Sequence, residues 1–67
     1  MTYKILQAKV KRPGDQVEVE IDWVKQEGYR LTVNDPEAGP PDVRYYARLS
    51  SALWAAAGIV RKLEAST

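Results

Sequence analysis

The chain has 67 residues, room for a single domain around one modest core, which spans 1–67. It carries 10 Lys and Arg against 9 Asp and Glu, a net charge of +1, and has neither Cys nor His. Disulfides, thiolate metal sites and imidazole chemistry are thereby excluded, and the charge balance is not that of a dedicated nucleic-acid binder.

Met1-Thr2-Tyr3-Lys4-Ile5 lacks the apolar run of a secretion signal. The longest uncharged stretch, Leu49 to Val60, is too short for a bilayer, which needs about 20 residues. The expectation is a cytoplasmic protein with no membrane contact. Leu6, Ala8 and Val10 then alternate with polar residues, and Arg12-Pro13-Gly14-Asp15 has turn composition. A turn centred on Pro13-Gly14 sets Val10 against Val17, Ala8 against Val19 and Leu6 against Ile21, so the apolar faces coincide. Because Pro-Gly favours a type II turn, which fits a tight hairpin poorly, a loop wider than two residues is the alternative.

In the second strand Val17, Val19, Ile21 and Trp23 share one face, and Gln16, Glu18, Glu20 and Asp22 the other. A loop Gln26-Glu27-Gly28 with Gly28 in the left-handed region predicts Lys25 opposite Tyr29, Trp23 opposite Leu31 and Ile21 opposite Val33. Trp23, Tyr3, Tyr29 and Tyr45 read as core or core-edge on phase. Asn34 to Asp42, with three prolines and a glycine, is a loop. A fourth strand follows, with Val43, Tyr45, Ala47 and Leu49 inward and Arg44, Tyr46 and Arg48 outward. Ser50 or Ser51 can cap a helix whose core stripe is Leu49, Ala52, Leu53, Ala56, Ile59, Val60 and Leu63. Arg61 and Lys62 suit its dipole, and the tail Glu64–Thr67 is expected to fray. The predicted fold is α+β: a three- to four-stranded antiparallel meander packed on one C-terminal helix (β-β-β-β-α).

The inventory argues against catalysis. Without His, acid–base work would fall to carboxylates or tyrosines, and Glu18, Glu20 and Asp22 form a row on a solvated strand face rather than a converging site. No phosphate loop, nucleophile elbow or metal-ligand spacing occurs, so the expectation is no enzyme, no cofactor, no metal site and no small-molecule substrate.

Two binding readings stand instead. On a helical wheel Trp54 lies about 160° from the centre of the core stripe, beside Ala57, Gly58 and Arg61. No charge falls between Arg48 and Arg61. An exposed helix face ordinarily carries Lys and Glu, and a mid-helix glycine costs about 1 kcal/mol against alanine. An out-of-phase Trp flanked by small residues is suited to anchoring another chain, identical or not. The favoured expectation is therefore a small accessory or inhibitor-like protein acting through protein–protein contact at Trp54, Ala57, Gly58 and Arg61, extended by Arg48. The competing structural reading has the loop from Pro36 to Pro41 fold over Trp54.

The alternative function is nucleic-acid binding through Arg30, Arg44, Tyr46 and Arg48, supported by Lys4, Lys9, Lys11 and Arg12. In outline residues 16 to 64 resemble the arm-type DNA-binding domains of tyrosine recombinases and the plant AP2-like domains. The likeness lies in a hairpin, a Gly/Pro loop, a strand and an Ala-rich helix after Ser50-Ser51. It implies a sheet face entering a major groove. Glu18, Glu20 and Asp22 sit in the middle of that face and oppose phosphate.

Overall fold

The structure, a computed structural model, describes residues 1–65. Strand β1 runs Thr2–Arg12, β2 Asp15–Val24, β3 Gly28–Asn34 and β4 Asp42–Tyr46, followed by helix α1, Leu49–Ala65. The strands form one antiparallel sheet in sequence order, β1-β2-β3-β4, packed on the helix, as the α+β reading predicts. Glu64 and Ala65 stay helical, and the rest of the expected fraying tail, Ser66–Thr67, lies outside the described residues.

The first hairpin has the register that its apolar faces require: Val10 lies opposite Val17, Ala8 opposite Val19 and Leu6 opposite Ile21. The loop is two residues wide, because Gly14 takes φ +89° and Arg12 and Asp15 pair directly across it. Their side chains reinforce the turn through two hydrogen bonds of 2.8 Å from the guanidinium to the carboxylate. A register shift at Ile5 lets Tyr3 and Leu6, three residues apart, face the same side.

The second hairpin differs from the expected pairing. Trp23 lies opposite Tyr29, Ile21 opposite Leu31 and Val19 opposite Val33. The loop is Lys25-Gln26-Glu27, closed by a hydrogen bond from the Glu27 amide to the Val24 carbonyl at 3.0 Å, with φ 71° at Gln26. Gly28 has the expected positive φ, +96°, but as the first residue of β3, and independently a Cβ there would stand 2.6 Å from the Tyr46 carbonyl oxygen. The slip is two residues, an even number, so every side chain keeps its predicted face.

In β4 the face assignment inverts. Val33 pairs with Asp42, Leu31 with Arg44 and Tyr29 with Tyr46, so Arg44 and Tyr46 point to the helix side. Tyr46 packs on the core, while Val43 and Tyr45 are exposed on the outer face. The strand's composition permits either phase, since each contains a tyrosine. The preceding loop decides between them. Asp35 accepts hydrogen bonds from the Arg12 guanidinium and, at 3.0 Å, from the Glu37 amide. Gly39 turns the same loop at φ +93° before the chain re-enters the sheet at Asp42. Arg44 tolerates the inner face because β4 is an edge strand: its stem lies by Ala55 and Ile59 while its Nε stands 3.5 Å from Asp42.

The core sits between the helix and the two central strands. Val19, Ile21 and Leu31 meet Ala52 and Ala56, whose small side chains bring the helix close to the sheet. Each large side chain buried there contributes about 1.5–3 kcal/mol. The helix begins at Leu49, where the Arg48 carbonyl accepts from the Ala52 amide at 3.2 Å. Ser50 and Ser51 therefore lie inside the first turn and do not occupy the cap position. Trp23 is half-buried rather than central, stacked on Tyr3 with ring centroids 5.7 Å apart.

Candidate functional site

The helix presents its core stripe to the sheet and, over its first three turns, an uncharged surface to solvent. Trp54 is 83% exposed, the most exposed large apolar residue of the described chain. The loop from Pro36 to Pro41 does not cover it. Trp54, Ala57, Gly58 and Arg61 line one shallow groove, so the four residues singled out in the sequence are contiguous. Gly58 has open space where a Cβ would stand. Its absence of side chain serves no contact inside the chain.

A second groove adjoins the first, sharing Ala57 and Arg61, and runs between α1 and β1. Leu6, Leu53 and Val60 line it. Leu53, assigned to the core stripe by periodicity, is 40% exposed, and Leu6 is 38% exposed. The helix lies over β2 and β3, so residues at the stripe's flank reach past the sheet's middle and find β1 only partly beneath them. Periodicity could place Leu53 at the edge of the stripe, but not show which strand the helix leaves uncovered.

The outer sheet face is a lattice of paired charges. Lys9 stands 3.8 Å from Glu18, Lys4 4.0 Å from Glu20, and the Gln7 amide donates to Glu20 at 3.0 Å. Arg30 donates to Asp22 at 3.2 Å. Its guanidinium is held above its ordinary pKa by Asp22 first, against desolvation, and then by Tyr45. Asp22 is buried, and the Arg30 Nε is buried without a hydrogen-bond partner. The four residues expected to form a nucleic-acid face are thus divided. Arg30 is outside and occupied, Arg44 and Tyr46 are on the helix side, and Arg48 lies in the connection to the helix.

Arg12, grouped by sequence with the basic residues of the first strand, is similarly engaged. Besides Asp15 it reaches Asp35 at 2.8 Å and Glu37 at 3.8 Å. Hydrogen bonds to Asp15 and then Asp35 raise its pKa further above its usual range. The Asp35 carboxyl is lowered in turn, by Arg12 first and then by the Glu37 amide. This cluster fastens the first hairpin's turn to the loop after β3. Among the described residues no three Asp or Glu side chains gather as metal ligands, and no helix is long and apolar enough to cross a membrane. No protein-family model, curated protein or solved structure matches this chain.

Proposed function

We propose that this chain is a non-enzymatic binding module whose work is a protein–protein contact, made through Trp54, Ala57, Gly58 and Arg61. The observation that carries the reading is the exposure of Trp54 on the helix, in a groove it lines together with Ala57 and Gly58. A large aromatic ring offers much apolar area at low entropic cost, and small neighbours let a partner's backbone approach. Arg61 supplies a polar rim that can stack on a partner ring or pair with a carboxylate. The lack of His and Cys and the pairing of the outer carboxylates with basic neighbours support a role without catalysis.

Trp54→Ala tests this. Removing an anchor of this kind costs about 2–4 kcal/mol of association, so the variant should lose its partner while unfolding at the same denaturant midpoint as the parent. Association read by sedimentation and by capture of native partners should vary little with salt, since the contact is apolar. Loss of monomer stability without loss of association would overturn the assignment.

A further inference from the structure

Strand β1 lies at the edge of the sheet, and its 11 residues leave one row of backbone amides and carbonyls unpaired by any strand among the described residues. Beside it runs the groove of Leu6, Leu53, Ala57, Val60, Arg61 and Glu64. We propose that this edge is a second docking site, adjoining the Trp54 surface along Ala57 and Arg61, and that it takes an extended acidic–apolar segment of a partner protein as a fifth strand.

The chemistry of the occupant follows from β1 itself. An added strand hydrogen-bonds to the free backbone edge, and its side chains alternate between the two sheet faces. Those on the helix side enter a groove floored by leucine, alanine and valine, and call for apolar residues. Those on the outer side meet Gln7, Lys9 and Lys11, the outward residues of β1 beyond the irregularity at Ile5. No Asp or Glu occurs before Asp15, so β1 itself contributes only basic charge; Lys4 and Lys9 share theirs with Glu20 and Glu18, and Glu64 of the helix lines the groove alongside. β1 already holds a strand of the complementary kind on its inner edge. Val17, Val19 and Ile21 of β2 face the helix, while Glu18, Glu20 and Asp22 lie across from Lys9, Gln7 and Lys4. Lys11 lies across from Gln16 and has no carboxylate partner among the described residues. A second copy of β1 is the wrong occupant, because it would set lysines against lysines along the outer face. The irregularity at Ile5 ends the regular edge on the N-terminal side, so docking covers Leu6 to Arg12.

The probe is a labelled peptide copying Gln16–Trp23, offered to the intact chain. Saturable binding is expected, with slowed hydrogen exchange at the β1 amides that face away from β2. Lys11→Glu and Leu53→Glu should each weaken it about tenfold. A peptide with lysine at the positions of Glu18, Glu20 and Asp22 should not bind. Trp54→Ala should leave the affinity within about twofold, which separates this site from the Trp54 contact: either can fail alone. Absence of saturable binding, equal binding of the lysine peptide, or protection at β4 instead of β1 would overturn the proposal. So would protection of the β1 edge without peptide as the chain is concentrated, which would make a second copy the occupant. Lys11 is exposed and external to the core, so its variant remains informative if Leu53→Glu does not fold.

Discussion

Gly28→Ala puts one methyl group where the structure has no room for it. At φ +96° an L-residue is strained by about 1–2 kcal/mol. The new Cβ also stands 2.6 Å from the Tyr46 carbonyl oxygen. That atom belongs to the backbone of β4, so relief requires moving a strand rather than turning a side chain, at about 1–3 kcal/mol. The two effects together cost about 2–5 kcal/mol, most of the roughly 3–5 kcal/mol that a core of this size supplies. Gly14→Ala and Gly39→Ala are the internal controls, with φ +89° and +93° but nothing within 4 Å of the added carbon. Each should cost only the conformational part. Urea unfolding of the three variants measures the difference, as midpoints shifted at constant slope. If Gly28→Ala is no worse than Gly14→Ala, β4 does not approach β3 as described and the register of Tyr29 with Tyr46 is wrong.

Three further outcomes are expected. Tyr46→Ala should destabilise by about 2–4 kcal/mol and Tyr45→Ala by less than about 1, in thermal unfolding; the reverse order would restore the outward phase for Tyr46. Acid unfolding should be sensitive to the Arg12–Asp35 pair: the folded carboxyl lies below its ordinary 3.8, so its stabilisation is complete above that value and is lost as pH falls through the lowered one. Asp35→Asn should remove that part of the pH dependence, read as flattened stability below about pH 4. Gly58→Ala should raise helix and monomer stability by about 1 kcal/mol, since the site is open and helical, yet weaken association by crowding the groove beside Trp54; calorimetry and sedimentation read the two effects separately.

The strands and the helix were legible because each announces its period. Val17 to Trp23 alternates without a fault, and the stripe from Ala52 to Leu63 repeats at helical spacing. The Trp54 groove was legible too, since residues at 54, 57, 58 and 61 must adjoin on any helix that contains them. The side of the sheet taken by Arg44 and Tyr46 was not legible, because it turns on the phase of Val43 to Tyr46. Both phases of that strand contain one tyrosine and the strand is only half covered, so alternation held no information about which side faced the helix. A one-residue difference in where the loop rejoins the sheet moves Arg44 and Tyr46 from one side to the other.

Local patterns by themselves determined the element types, the first hairpin's register, the position of the helix and the absence of thiol and imidazole chemistry, because each depends on neighbours within a few residues. Tertiary structure alone decided the rest. The carboxylates at Asp15, Asp35 and Glu37 converge on Arg12 from a turn and a loop distant in sequence. The close approach of Gly28 to Tyr46 and the uncovered edge of β1 likewise arise only when strands distant in sequence are laid side by side. Side-chain period is a property of one strand or helix, whereas a free edge or a face is a property of what happens to lie next to it.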